Sequence, residues 1–208
     1  PTEENIIKNE FISNLSSNEK YTFFLNTYGS LYAIDNNRMQ IVWFINLNQS
    51  IDINPSNLFK GNQIIVKKSK IAVSSNRFTY VIDIETGSII YKNNFSSSVK
   101  PLIVNDYIFH ITKNNLLIAM SLKTGEIIYS LNINEEISKF LNTKKKKAEF
   151  LNIFMVNNEI FIFLKSSYVL KFNVNGNLKD IKKLPTKINS YPIFINKLIL
   201  FINNKNKL

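Results

Sequence analysis

A pattern of eleven residues occurs three times without gaps along this chain of 208 residues. Each copy starts with a small or β-branched residue and ends with an aromatic one, and two copies carry Thr-Gly at the sixth and seventh positions. The copies are residues 33–43 (AIDNNRMQIVW), 81–91 (VIDIETGSIIY) and 119–129 (AMSLKTGEIIY). Residues 171–181 (KFNVNGNLKDI) form a degenerate fourth copy, with the glycine shifted to Gly176. The copies start 48, 38 and 52 residues apart, and such intervals are typical of propellers built from four-stranded blades.

Short apolar segments before each copy supply the other strands of the predicted blade. Residues 107–112 and 159–164, for example, are each followed by a polar turn and then by the strand that opens the repeat. The turns contain Asn or Gly, which tolerate the positive φ of tight hairpins. The strands are almost entirely apolar, as expected where neighbouring sheets cover both faces. We therefore predict an all-β fold, a β-propeller of four-stranded antiparallel blades, with about four and a half blades present.

The repeat also divides the chain. The predicted blades are residues 20–56, 57–98, 99–148 and 149–188, followed by a partial blade at residues 189–208. Residues 1–19 form an N-terminal segment, in which residues 2–15 are predicted to form a short helix. Thr2 is the expected N-cap of that helix, and Glu3 and Glu4 in its first turn suit the helix dipole.

The residue types exclude several classes of chemistry. The chain has no Cys and one His, so disulfides, Fe–S clusters, cysteine nucleophiles and zinc fingers are excluded. Five scattered glycines form no phosphate-binding loop. His110 lies in the middle of a predicted strand and is interpreted as structural, because one His cannot hold a metal. We expect no catalytic residue, no cofactor and no metal, and Asp35 and Asp83, which recur at one repeat position, are predicted to hydrogen-bond their turns.

The net charge of +11 does not by itself indicate nucleic-acid binding. Only 2 of the 26 basic residues are Arg, whereas proteins that read bases or phosphates favour Arg for bidentate contacts. One cluster stands out, because the longest predicted loop, residues 132–149, contains four successive lysines, namely Lys144, Lys145, Lys146 and Lys147. Such a run is either a solvated loop or a contact with an anionic surface. Loops on a rigid scaffold are where partners bind, so this loop is the predicted partner contact.

The repeat resembles the pyrroloquinoline-quinone (PQQ) type propeller repeat, whose signature is Ala-x-Asp-x-x-Thr-Gly-x-x-x-Trp. Residues 31–35 (LYAID) with Trp43 match it closely, and the second and third copies match with conservative changes. The resemblance implies that each aromatic residue docks between its own blade and the next, against the small first residue and the glycine. The implied docking residues are Ala33, Trp43, Val81, Gly87, Tyr91, Ala119, Gly125 and Tyr129.

Two branches of this family imply different functions. The quinoprotein dehydrogenases carry PQQ and Ca²⁺ on the propeller axis, but this sequence has no recognisable carboxylate cluster for Ca²⁺. The sequence is more similar to the BamB-like lipoproteins, which are eight-bladed scaffolds without a cofactor. That resemblance implies a non-enzyme that helps the outer-membrane β-barrel assembly translocase. A divergent PQQ-dependent dehydrogenase and a ligand-sensing propeller domain remain the alternatives.

The same resemblance implies a location. No apolar run approaches the roughly 20 residues of a membrane helix, because residues 193–202 are interrupted by Asn196 and Lys197. The chain starts at Pro1 without Met, and we expect its true N-terminus to be missing. A BamB-like protein is expected on the periplasmic side of the outer membrane, attached only through a lipid anchor on that missing segment. Four and a half blades are expected to be part of an eight-bladed ring, as a fragment or as one partner in an assembled ring.

Overall fold

The computed structural model describes residues 14–48, 64–75, 77–143, 147–188, 190–195, 198–203, 205 and 207. The chain divides into two compact units, residues 1–100 and residues 101–208. In the described residues, four sheets contain four strands each and a fifth contains two. The strands of every sheet are antiparallel and neighbours in chain order. Each four-stranded sheet is therefore a simple meander, as the repeat predicts.

The first unit contains two of these sheets. The first sheet consists of β1 (Leu15–Ser17), β2 (Tyr21–Leu25), β3 (Ser30–Asp35) and β4 (Ile41–Asn46). The second sheet consists of β5 (Ile65–Lys67), β6 (Lys70–Ser74), β7 (Thr79–Asp83) and β8 (Ile89–Asn93). One core of buried apolar side chains joins them, including Phe23 and Leu31 of the first sheet and Ile71 and Tyr80 of the second. Burial of these side chains is the main stabilising contribution to the unit.

The second unit contains the other sheets. The third sheet consists of β9 (Leu102–Val104), β10 (Tyr107–Ile111), β11 (Leu116–Ser121) and β12 (Ile127–Asn132). The fourth consists of β13 (Phe150–Val156), β14 (Glu159–Leu164), β15 (Tyr168–Asn173) and β16 (Leu178–Lys183), and the two-stranded sheet of β17 (Ile193–Ile195) and β18 (Leu198–Leu200). The ring of Phe194 on β17 lies 5.5 to 6.1 Å from the rings of Phe154, Phe161 and Phe163. The two-stranded sheet therefore packs on the fourth sheet through an aromatic cluster.

An irregularity recurs in the last strand of every four-stranded sheet. The pairing register shifts by one residue beside the repeat's first position, leaving one extra residue on β4, β8, β12 and β16. The extra residues are Val42, Ile90, Ile128 and Lys179. Each is a β-bulge, which increases the local twist and disrupts the exposed edge of the sheet. This disruption limits pairing of the edge with other strands.

The longest predicted loop contains a helix that the sequence analysis missed. Helix α1 (Ile133–Leu141) begins after Asn132, whose side chain accepts hydrogen bonds from the backbone N–H groups of Asn134 and Glu135. It ends at Asn142, which adopts a left-handed conformation with φ 49°. Both features are standard helix caps. The described residues are still mostly β-strand, and of the residues of α1 only Ile133 is buried.

The N-terminal predictions fall largely on residues that the structure does not describe. Residues 2–13 of the predicted helix lie outside the described residues. Leu15, its predicted last residue, is instead the first residue of β1 and pairs with Phe24 of β2. Pairing with a partner strand thus decides the conformation of this residue. The first sheet consequently begins before residue 20, where the sequence analysis started the first blade.

Candidate functional site

The first repeat aromatic lies against the glycine of the next repeat. Trp43 on β4 is opposite the buried Ala33 of β3. Its indole Nε1 donates a hydrogen bond of 3.0 Å to the Ile84 carbonyl oxygen. A Cβ atom built on Gly87 would lie 2.7 Å from Cδ2 and Cε3 of Trp43, and Gly87 has a φ of 72°. Only glycine fits this position without strain, and the docking role of Ala33, Trp43 and Gly87 stays a prediction.

The second unit has a comparable contact built from other residues. Tyr129 on β12 is opposite the buried Ala119 of β11. A Cβ atom on Gly176 would lie 2.8 Å from Cε2 of Tyr129 and 2.7 Å from Cδ2 of Leu131. The Tyr129 hydroxyl is buried without a hydrogen-bond partner, and burial raises the pKa of Tyr129 to about 12. The shifted glycine of the degenerate repeat therefore occupies the place next to the aromatic ring.

The remaining predicted docking residues have the expected local geometry. Tyr91 on β8 is opposite the fully buried Val81 on β7, and burial raises the pKa of Tyr91 above its usual range. Gly125 has a positive φ of 76°, in the turn that Thr-Gly was expected to form. The docking role of these three residues stays a prediction.

The third position of the repeat, which is Asp35, Asp83 or Ser121, forms the turn before the last strand of the sheet. The Asp35 carboxylate accepts hydrogen bonds from the N–H groups of Asn37 and Arg38, and the Asp83 carboxylate accepts from those of Glu85 and Thr86. These backbone donors hold the pKa of both carboxyls below its usual value. In the third repeat the Ser121 hydroxyl accepts the equivalent bonds. The interpretation of Asp35 and Asp83 as turn residues agrees with these hydrogen bonds.

Apolar side chains are exposed on the last strands of the first three sheets. They are Ile41, Val42 and Phe44 on β4, Ile89 and Ile90 on β8, and Ile127 and Ile128 on β12. The corresponding strand of the fourth sheet, β16, carries Lys179, Asp180, Lys182 and Lys183 instead. The outer strands thus differ in chemistry although they share a bulge.

The predicted contact loop is partly described. Lys144, Lys145 and Lys146 lie outside the described residues, and Lys147 is exposed. Helix α1, which precedes them, exposes Phe140 and Leu141 at 48% and 46% of their surfaces. Because these apolar side chains lie three to four residues before the lysine run, the loop combines apolar and cationic groups. The sequence analysis missed both residues, although the positions of Ile133, Ile137, Phe140 and Leu141 are a helical signal.

Groups that could support catalysis are sparse in the described part of the chain. No cluster of three or more His, Asp or Glu side chains there could hold a metal ion. His110 on β10 is fully buried opposite Ile118, and desolvation lowers its pKa to about 3, so it is neutral. A pocket of about 290 Å³ is lined by apolar residues including Ala119, Met155 and Val174, together with Tyr129. Among the described residues, none of the helices has the length and apolar character needed to cross a membrane.

Comparison with known proteins identifies the fold. No family model matches the sequence, and no curated protein matches it. Solved structures do match. BamB from Moraxella catarrhalis superposes with a TM-score of 0.67 at 15% identity, over 88% of this chain and 52% of that one. The chain is a PQQ-like β-propeller in fold.

Two further structures show the same likeness. The computationally designed Ika8 protein has a TM-score of 0.70 at 11% identity, over 92% of this chain and 55% of that one. Quinohemoprotein alcohol dehydrogenase from Comamonas testosteroni has a TM-score of 0.66 at 11% identity, over 91% of this chain and 39% of that one. This chain therefore spans about half the length of the matched BamB. The prediction of a propeller of four-stranded PQQ-like blades is confirmed, and similarity at these identities concerns the fold.

Proposed function

We propose that this chain is a non-catalytic scaffold of the BamB type, which assists insertion of β-barrel proteins into the outer membrane from the periplasmic side. Its partner is the barrel-assembly translocase. The likeness to BamB supports this proposal, because propellers of short-looped blades present loops on a rigid support. Fold alone does not decide function, so the proposal depends on a surface suited to a protein partner.

The observation that carries the proposal is the α1 surface, defined here as the exposed side chains of Phe140 and Leu141, which precede the lysine run at residues 144–147 in the sequence. Exposed Phe and Leu side chains provide apolar contact area, and large apolar residues anchor interfaces. The adjacent lysines increase the rate of encounter with an acidic partner surface. The combination fits a protein partner with an acidic rim around an apolar groove. It fits nucleic acid less well, because Arg is nearly absent from the chain.

Crosslinking in cells tests this role. The tagged full-length protein is crosslinked in its native envelope, and the co-purifying proteins are identified by mass spectrometry. We expect recovery of the barrel-assembly translocase, and recovery is expected to fall when Phe140→Ser and Leu141→Ser are combined. Ile127→Thr is the matched control, because Ile127 is 53% exposed in the same unit but lies on β12. A protein that yields no envelope partner, or equal recovery from both variants, contradicts the proposal.

The likeness to a quinohemoprotein alcohol dehydrogenase gives a second candidate, a divergent PQQ-dependent dehydrogenase. The described residues do not fit such a site, because they offer no cluster of three or more acidic or His side chains for the Ca²⁺ that would accompany the quinone. Addition of PQQ and Ca²⁺ tests it directly. A thermal shift together with quinone-dependent dye reduction would favour the enzyme, whereas no change would favour the scaffold.

A further inference from the structure

The pocket of about 290 Å³ in the second unit is lined by residues of the third and fourth sheets. Its volume is close to the lower end of the range for small-molecule sites, about 300 to 1,000 Å³. It is much larger than the space that one bridging water needs. Two of its lining residues, Phe109 and Ala119, are buried at 4% and 2% exposure, so they give the pocket an apolar floor. The pocket is therefore large enough for a small organic ligand.

Three asparagines line the same pocket, and each lies in a different turn. Asn105 lies between β9 and β10, Asn158 between β13 and β14, and Asn175 between β15 and β16. All three are exposed, so they form the mouth of the pocket. Asn105 and Asn158 have positive φ values of 53° and 64°, a conformation in which asparagine is enriched. The turn conformation does not explain Asn175, whose φ is not positive.

The chemistry of the lining selects a neutral ligand. Among the described residues, none that lines the pocket carries a charge. An ionised ligand would lose hydration there without gaining an opposite charge. Each asparagine amide offers two donors and one acceptor, which suits hydroxyl groups because they both donate and accept. The half-buried Tyr129 and the 48% exposed Tyr107 add aromatic rings, whose electron-rich faces attract polarised C–H groups.

We propose that this pocket binds a neutral sugar ring, with one C–H face of the sugar on the tyrosine rings and its hydroxyl groups at the three asparagine amides. The hydroxyls of a sugar lie all round the edge of its ring, and the asparagines come from three separate turns at the mouth. A peptide binds instead along an open groove or a strand edge. The inference is independent of the α1 surface and goes beyond the proposed scaffold function.

The first unit shows how the pocket can be filled by a substitution. Val174, which lines the pocket, occupies the repeat position of Ile84. The Ile84 carbonyl accepts a hydrogen bond from the indole of Trp43, and Trp43 occupies the repeat position of Tyr129. Tyr129→Trp is therefore expected to bring an indole next to Val174, where it takes up part of the pocket.

Saturation-transfer NMR on the full-length protein tests the proposal. The probes are the methyl glycosides of glucose, galactose, mannose and N-acetylglucosamine, with glucuronate as the charged control. We expect saturation transfer to at least one neutral glycoside and none to glucuronate. Asn158→Gly keeps the turn but removes an amide, so it is expected to weaken binding of that glycoside about fivefold. Asn157→Gly is the matched control, because Asn157 has a φ of 50° in the same turn but lies outside the pocket lining.

Further arms of the experiment identify the site and the ligand. Tyr129→Trp is expected to weaken binding at least about tenfold by steric exclusion. Tighter binding of a trisaccharide than of its methyl glycoside would assign the end of a glycan, and the reverse would assign a free sugar.

Four results would overturn the proposal. They are no transfer to any neutral glycoside, equal binding of glucuronate, equal losses from Asn158→Gly and Asn157→Gly, and unchanged binding by Tyr129→Trp. Adenosine and N-acetylphenylalaninamide are added as competitors. Tighter binding of either one than of every glycoside would also overturn the proposal, in favour of a nucleoside or a peptide.

Discussion

The contact between the first and second sheets and the contact between the third and fourth sheets use one repeat in two ways. In the first unit, Trp43 packs on Gly87 and its indole N–H bonds the Ile84 carbonyl. In the second unit, Tyr129 packs on Gly176 and its buried hydroxyl has no hydrogen-bond partner. An unpaired buried hydroxyl costs free energy that a paired indole does not. The repeat thus conserves the position of the aromatic ring but not its hydrogen bonding.

A pocket lies beside the second contact. Val174 occupies the repeat position of Ile84, and both Val174 and Tyr129 line the pocket of about 290 Å³. A tyrosine in place of a tryptophan fills less volume, and unfilled volume between packed sheets weakens dispersion contacts. We infer that the aromatic contact in the first unit contributes more to stability than the one in the second, and the predictions below test this difference.

The largest expected effect is that of Gly87→Ala. The new Cβ would lie 2.7 Å from the Trp43 ring at a backbone φ of 72°. Steric overlap and left-handed strain together are expected to lower the free energy of unfolding by about 3 kcal/mol, measured by urea denaturation. The double variant Gly87→Ala with Trp43→Leu separates the two causes, because removing the ring relieves the overlap but not the strain. Additive effects would show that the ring and the glycine do not interact.

Replacing Trp43 and Tyr129 by Phe is expected to change the free energy of unfolding in opposite directions. Trp43→Phe removes the indole N–H and leaves the Ile84 carbonyl without this donor, so we expect destabilisation by about 2 kcal/mol. Tyr129→Phe removes a buried hydroxyl that has no partner, so we expect stabilisation by up to about 1 kcal/mol. Urea denaturation of both variants measures the difference directly. A loss of similar size in both would show that the two contacts are energetically alike.

The repeat allowed much of this architecture to be predicted from the sequence. Turn residues and the eleven-residue spacing defined the meander of strands, and the aromatic and small positions indicated which residues meet across β3 and β4. The energetic difference between Trp43 and Tyr129 was not predictable, because it depends on where a carbonyl oxygen lies in the neighbouring sheet. Nor was the exposure of Phe24 beside the buried Phe23, because the two are the same residue type on opposite faces of one strand.

The sequence analysis missed strand β1 and helix α1 because both elements are short. Strand β1 has the sequence Leu-Ser-Ser, which carries almost no strand signal, and its pairing with β2 supplies the stabilisation. Helix α1 is nine residues long, so its apolar periodicity extends over little more than two turns and is weak beside the adjacent lysine run. Short elements are specified by their partners more than by their own residues.

A smaller effect on stability is expected from the turns before β4, β8 and β12. Met39, Gly87 and Gly125 occupy the same repeat position and all have positive φ, at 53°, 72° and 76°. Methionine is strained in this region whereas glycine is not. Met39→Gly is therefore expected to raise the free energy of unfolding by about 0.5 kcal/mol, after the entropy that glycine adds to the unfolded chain. Met39→Ala is the control, because it shortens the side chain but keeps the strain. A gain from Met39→Ala equal to that from Met39→Gly would locate the effect in the side chain.

The smallest expected effect is on the stability of the fold at low pH. The turn of the second sheet depends on the Asp83 carboxylate, whose pKa lies below its usual value because Thr86 and Glu85 donate to it. A group with a lowered folded pKa stabilises the fold above the pKa of the unfolded chain, and this contribution is lost as pH falls through the folded value. The third sheet uses the uncharged Ser121 in the equivalent turn. Asp83→Ser is therefore expected to flatten the dependence of the urea midpoint on pH below about 4, near the ordinary pKa of Asp.

The buried His110 adds its own loss of stability in acid, but it is present in both proteins and cancels in their difference. Parallel pH profiles for the two proteins would show that the carboxylate holds the turn no better than a hydroxyl does, and that charge is not part of the difference between the units.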